Sequence, residues 1–273
     1  MKLRFDALKI FSGSKTPFGL YARQKWLNEE HNCAWKADFQ ITVNQLMNGQ
    51  SVDGSWDQLA LKTIQRLFGL HLTVRYRNDD IDRGLNWLIQ RASEAFSSRR
   101  ANPREPVTAA ALAGLPLSPG PSHYLVLGAA LFLATIFGRE HDEQVLELYE
   151  PLNKMGKENK GRWCGWSCSN NILRAFVVHP TYAKTETIAL ALEALARVQN
   201  SSGRWPHQVP FYQTVNALAH INLSQADMQL ERAFKRLNET QHRDGSWGQW
   251  QREWNTFLIV HALKNKEVFG FRG

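Results

Sequence analysis

Three stretches of this 273-residue chain fit Gln-x3-Gly-x-Trp: Gln50 to Trp56, Gln199 to Trp205 and Gln241 to Trp247. Each has a leucine four residues before the glutamine, namely Leu46, Leu195 and Leu237. The last two glutamines stand 42 residues apart, the length of a two-helix hairpin rather than of a strand repeat. A lone hairpin of that size cannot bury its own apolar face, so a chain that repeats it must build its core from neighbouring copies.

The same period finds degenerate copies. One step forward from Gln50 is Ala92, approached through Arg83-Gly84 and Trp87-Leu88, which repeats the approach of Arg232-Ala233 and Leu237 to Gln241. One step back from Gln199 is Lys157, followed by Gly161-Arg162-Trp163, a copy that keeps Gly-x-Trp and has lost the glutamine. These two copies lie 65 residues apart, which leaves about 23 residues beyond one period. Ser97 to Gly120, rich in Ser, Arg, Pro and Ala, is the expected insertion. The chain therefore reads as five hairpins, one carrying an insertion.

Helical spacing fills the repeats. Ile188, Leu192, Leu195 and Val198 recur at 3.6-residue spacing, as do Leu230, Phe234 and Leu237, and eleven helices are expected in all. Leu72 to Tyr76 has strand-forming residues but continues a helical pattern from Leu59, and is read as a helix end or loop. The motif itself has a structural explanation. Gly54, Gly203 and Gly245 supply positive φ at a helix end, the glutamine satisfies orphan backbone groups at a neighbouring helix end, and the tryptophan covers the junction.

The fuller pattern, [Lys/Arg]-[Gly/Ala]-x2-[aromatic]-[Leu/Ile/Val]-x3-Gln-x3-Gly-x-Trp, resembles the QW repeats of squalene and terpenoid cyclases, whose α/α toroid is shared with protein prenyltransferase β subunits. Residues 83 to 88, RGLNWL, match its first half, and residues 232 to 247 match nearly all of it, with Arg236 where an aromatic is usual. The likeness spans about residue 40 onward. It implies an all-α, single-domain α/α toroid of five to six hairpins over residues 1 to 273, with the insertion near 97 to 120. It also implies an aromatic cavity for an isoprenoid or other apolar ligand, which the protein would bind, cyclise or transfer. Two alternatives stay open: a non-catalytic binding or scaffold toroid, and a zinc-dependent thiol-modifying enzyme.

Ten tryptophans and fourteen phenylalanines supply large aromatic surfaces for packing such helices. The N-terminal MKLRFDALKI is broken by Lys2, Arg4, Asp6 and Lys9, unlike a signal peptide, and the apolar run Tyr124 to Phe137 is shorter than the roughly 20 residues that cross a bilayer. That run suits an inner helix. Three cysteines, Cys33, Cys164 and Cys168, cannot all pair within the chain and point to a reducing compartment. A cytoplasmic protein, peripheral at most at a membrane surface, is expected. The net charge of +8 gathers at Arg99, Arg100 and Arg104 and at Lys154, Lys157, Lys160 and Arg162, which suits an anionic headgroup or a diphosphate. No nucleic-acid motif accompanies it, and a partner subunit cannot be read from one chain.

Candidate chemistry is placed by the repeat register. Cyclases that start by protonation carry Asp-x-Asp-Asp at the start of an inner helix; here Asp79-Asp80-Ile81-Asp82 reverses the order and opens an outer helix, where N-capping is its expected role. Inner helices should begin soon after each tryptophan, and their first residues should line one mouth. That places Trp166, Phe211, Tyr212, Trp250, Trp254, His123 and Tyr124 as ligand-binding candidates able to stabilise a carbocation. Glu253, between Trp250 and Trp254, and Asp57 are the candidate acids. Cys164, Cys168 and His207 form a candidate zinc set, since prenyltransferases use an Asp, a Cys and a His at inner-helix starts, and lanthipeptide cyclases, another α/α toroid, use Cys/Cys/His. His220 and His261 fall late in inner helices and read as satisfied core or rim histidines.

Overall fold

A computed structural model describes residues 2–98, 107–120, 122–268 and 270–271. Eleven α-helices occupy these residues: α1 Pro17–Lys25, α2 Cys33–Met47, α3 Ala60–Thr73, α4 Asp79–Ser98, α5 Ser122–Ile136, α6 Glu143–Glu158, α7 Trp166–Val178, α8 Glu186–Val198, α9 Phe211–Leu218, α10 Ser224–Thr240 and α11 Arg252–Asn265. The odd-numbered helices form a closed inner ring in which α1 packs on α3, α3 on α5, α5 on α7, α7 on α9, α9 on α11 and α11 back on α1. Even-numbered helices lie outside, α8 touching both α6 and α10. The chain is thus an α/α toroid, and the five expected hairpins are α2–α3, α4–α5, α6–α7, α8–α9 and α10–α11.

Sequence explains the two layers. The outer helices α4 and α10 carry one apolar stripe, Ile81, Leu85, Leu88 and Ala92 in the first and Leu230, Ala233, Phe234 and Leu237 in the second. The inner helix α5, SHYLVLGAALFLATI, is apolar all round because it is covered by α4 on one side and flanked by α3 and α7. Leu72 to Tyr76 closes α3 at Thr73 and runs on as loop, as expected.

The repeat motif ties each hairpin to the next. Gln50 Nε2 donates to the carbonyl of Gly54 at 2.9 Å and to that of Asp80, in the first turn of α4, at 2.8 Å. Gln199 does the same to Gly203 at 3.1 Å and to Gln229 of α10 at 3.0 Å. These carbonyls near the start of the next outer helix replace the orphan groups expected from sequence. The tryptophans bond to carbonyls of the outer helix in their own hairpin: Nε1 of Trp205 donates to Leu195, of Trp247 to Leu237 and of Trp163 to Leu152. Glycine is required twice over. Gly203 has φ +77°, and a Cβ there would lie 2.2 Å from the Arg232 carbonyl oxygen; Gly54 and Gly161 meet α4 and α8 in the same way.

The sixth outer position holds no α-helix. Residues 2–11 fill it with an extended segment and one 3-10 turn, Lys9–Phe11, and Lys2–Leu3 pairs in parallel with Gly270–Phe271. Gly245 lies against Asp6 as Gly203 lies against Arg232, so this segment occupies the place of an outer helix and precedes α1 as the sixth hairpin.

The expected insertion begins later than Ser97, because α4 runs to Ser98. Residues 107–120 then cross one end of the ring. Gln65 Nε2 of α3 donates to the Ala111 carbonyl at 2.7 Å, and Gly114 packs on the Phe18 ring of α1. On α7 the Asn171 amide pairs with both backbone groups of Ser118, accepting from its N–H at 2.7 Å and donating to its carbonyl at 2.9 Å. Leu112, Leu115 and Leu117 are buried beneath this crossing. The segment thus lies over the N-terminal halves of α1, α3 and α7.

Candidate functional site: the lumen of the inner ring

A cavity of about 110 Å³ lies on the axis of the ring, with walls from all six inner helices. Tyr21 of α1, Phe68 of α3, Phe132 of α5, and Trp254 and Phe257 of α11 form its aromatic side, and Pro116 of the covering segment closes one end. The rings contact one another: Trp254 stacks on Phe257 at 5.4 Å between centroids and meets Phe68 edge-on at 6.1 Å. The remaining wall is polar and basic. It comprises His71, Arg174, Asn216, His220 and His261, interleaved with the aliphatic Leu72, Ile136, Val178 and Leu258, and no carboxylate lines the cavity among the described residues.

Arg174 is the centre of that wall. It is 1% exposed, sits in the apolar run of α7 between Leu173 and Ala175, and is held by α9: Nη1 donates to Asn216 Oδ1 at 2.7 Å and Nη2 to the Gln213 carbonyl at 2.8 Å. Its Nε has no hydrogen-bond partner, and its Cζ stands 5.9 Å from the centre of the Phe132 ring. Burial lowers its pKa to about 9, which leaves it charged at neutral pH. Asn216 relays the arrangement to α11, its Nδ2 donating to the Leu258 carbonyl at 2.9 Å and facing His261 Nδ1 at 3.4 Å.

The three histidines are held neutral. Burial drives His71 and His261 down to about 4, with Arg75 and Arg174 respectively adding to the effect, and His220 falls well below its ordinary value for the same first reason, helped by the charges of its neighbours. Asn216 and Asn265 present amide donors to Nδ1 of His261 and His220, which leaves Nε2–H as the donor of each ring. At the end of α3, Arg75 lies 4.4 Å over the Tyr21 ring and has Glu30 as an acidic neighbour, an advantage that Arg174 lacks.

Of the seven ligand-binding candidates, Trp254 alone lines this cavity. Trp166 lies beneath the Arg162 guanidinium at 4.5 Å and faces a narrow crevice with Trp163 and Leu195 instead. Phe211 packs between Trp205 and Tyr212, and Trp250 is 84% exposed. Tyr124 turns outward, its hydroxyl 3.5 Å from Met155 Sδ of α6, with the His123 ring packed on it. Trp166, Phe211, Tyr212, His123 and Tyr124 do lie in the first turn of inner helices, but none of them lines the cavity, and Trp250 stands outside α11 altogether.

The candidate acids stand apart from the lumen. Asp57 is exposed and ion-paired with Lys62, and Glu253 accepts a 3.4 Å hydrogen bond from the Thr16 hydroxyl. Asp79, Asp80 and Asp82 open the outer helix α4 as expected, but the capping group is Asn78, whose Oδ1 accepts from the Ile81 amide at 2.9 Å, while Asp80 pairs with Arg83. Cys168 is buried with its thiol pushed up to about 11 by that burial and by Cys164, which precedes α7 rather than lying in it. His207 is exposed in the loop before α9, and among the described residues no three side chains of metal-ligand type converge. Arg99, Arg100 and Arg104 lie outside the described residues, and Lys157 is paired with Glu186.

His71 and Arg174 were not singled out from sequence. The available signal was a lone arginine inside the apolar run Ile172 to Val178, a charge that no solvent-facing helix position explains.

No protein-family model and no curated protein matches the sequence. The fold is similar to that of a protein from Actinoplanes known from its crystal structure, with a TM-score of 0.57 and 17% identity over 93% of this chain and 89% of that one. At that identity the likeness concerns the fold alone. Among the described residues no helix is long and apolar enough to cross a membrane.

Proposed function

We propose that this toroid binds one small, largely apolar molecule in its lumen, and that binding rather than cyclisation is its task. The observation that carries the reading is the aromatic cavity to which every inner helix contributes. Its volume of about 110 Å³ is close to the roughly 150 Å³ of an apolar cavity that accepts benzene, and below the roughly 300–1,000 Å³ of sites for larger ligands. A single prenyl unit or one aromatic ring suits that volume better than a long isoprenoid chain. Protonation-initiated cyclisation needs an acid facing the substrate, whereas the titratable wall here consists of an arginine, a tyrosine and histidines that burial keeps neutral. The three free cysteines fit a reducing compartment, and we place the protein in the cytoplasm.

Calorimetric titration with 3-methylbut-2-en-1-ol, a single prenyl unit with a neutral end, tests the reading. One saturable site is expected, abolished by Val178→Trp, which fills the lumen from the end of α7. Absence of saturable binding would favour the scaffold alternative, in which the toroid serves only as a rigid body.

A further inference from the structure

Resting on the lumen as the binding site, we infer that the ligand is an organic monoanion, a carboxylate whose charge lies on Arg174 and whose small apolar body lies against Trp254, Phe257 and Phe132.

The reasoning starts from charge. A guanidinium taken out of water loses its hydration, and proteins ordinarily compensate with a carboxylate. Arg174 has none among the described residues: both of its hydrogen bonds go to neutral oxygens, Asn216 Oδ1 and the Gln213 carbonyl. A guanidinium has five N–H donors and only two are used, Nε being among those without a partner. Deprotonation offers no escape at neutral pH. The missing counter-charge therefore belongs in the cavity that Arg174 lines, where a carboxylate can pair with its guanidinium.

The same wall sets the charge and size of the ligand. The histidines contribute neutral N–H donors and no charge, so Arg174 supplies the one positive charge on the cavity lining, where no carboxylate stands among the described residues. One carboxylate matches it, and a phosphate dianion would be left half-compensated. The aromatic side limits the group attached to that carboxylate, since a volume near 110 Å³ accepts a benzene-sized body. Arg174 also holds Asn216, and through it Leu258 and His261, so an anion on the arginine acts on a junction between α7, α9 and α11.

Isothermal titration of the full chain at neutral pH with benzoate, benzyl alcohol and phenyl phosphate tests this. Benzoate should bind at least about ten-fold more tightly than benzyl alcohol, a difference of about 1.4 kcal/mol. Arg174→Gln should erase the preference while leaving benzyl alcohol bound, and Arg174→Lys should retain part of it. The comparison on the unaltered chain is decisive even where a variant does not fold. Benzyl alcohol bound as tightly as benzoate overturns the monoanion and leaves the lumen reading standing. Phenyl phosphate bound more tightly than benzoate overturns the carboxylate assignment. Failure of all three probes to bind removes the lumen reading itself, and this inference with it.

Discussion

Gln241 Nε2 donates to the Phe5 carbonyl oxygen at 2.9 Å, joining positions 236 residues apart and closing the ring. The same side chain accepts from the amides of Arg4 at 3.0 Å and Phe5 at 3.1 Å, and donates to Gly245 at 2.9 Å. Gln199, at an internal junction, donates to two carbonyls, and its Oε1 lacks a partner. The closing glutamine thus carries more of the structure than its internal counterpart.

Gln241→Ala is accordingly expected to destabilise the fold by about 2–4 kcal/mol, and Gln199→Ala by about 1–2 kcal/mol, because each lost bond leaves a partly buried backbone group behind. Urea denaturation measures both. Hydrogen exchange at the Arg4 and Phe5 amides should accelerate in the first variant only, and equal costs would contradict the closing role.

Two motif tryptophans, Trp56 and Trp247, are both fully buried, yet only Trp247 has a partner for its indole N–H. Either Trp→Ala change should cost about 3–5 kcal/mol through the cavity it leaves. The Trp→Phe changes should differ: Trp247→Phe abandons the Leu237 carbonyl and should cost about 1–2 kcal/mol more than Trp56→Phe, which removes an N–H that was already unsatisfied. Chemical denaturation of the two Phe variants side by side checks the difference.

Acid should loosen the lumen first. The native pKa of His71 and of His261 is about 4, below the unfolded value of 6.5, so between these values the unfolded chain binds more protons than the folded one. Their contribution is complete above pH 6.5, declines as pH falls towards 4, and changes little below that. Each histidine contributes at most about 3 kcal/mol. Melting temperatures measured from pH 7 to pH 4 should fall for the wild type and fall less for His261→Gln; parallel curves would show that His261 titrates normally in the native state.

The covering segment is tied to α7 at Ser118. Asn171 is fully buried and clasps both backbone groups of Ser118, while the neighbouring Asn170 Nδ2 donates to the Ser118 hydroxyl at 2.9 Å. Asn171→Ala should release residues 107–120 from α7, raise hydrogen exchange at the Ser118 amide at least ten-fold, and lower global stability by about 2–3 kcal/mol. Unchanged protection at Ser118 would place the anchorage in Leu112, Leu115 and Leu117 instead.

The amino-acid sequence by itself determined the ring. A 42-residue period, glycines at the turns and amphipathic outer helices are local signals, and they survive in the structure because the hairpins that keep the motif meet the next outer segment through the same Gln and Gly positions. Even the degenerate copy at Gly161 to Trp163 keeps the contact, with Gly161 against α8 and Trp163 bonded to Leu152. The lumen was decided only in three dimensions. Inner helices such as α5 and α7 are buried on every side, so their sequences carry no periodicity that tells an axis-facing residue from one facing the outer layer. Trp254 and Trp166 look equivalent in sequence, at the starts of two inner helices, and rotation sends one into the cavity and the other into a crevice. Arg174, Asn216 and His261 lie on three helices, some 40 residues apart in turn, and their convergence depends on how the ring closes, which residues 2–11 complete without forming an α-helix at all.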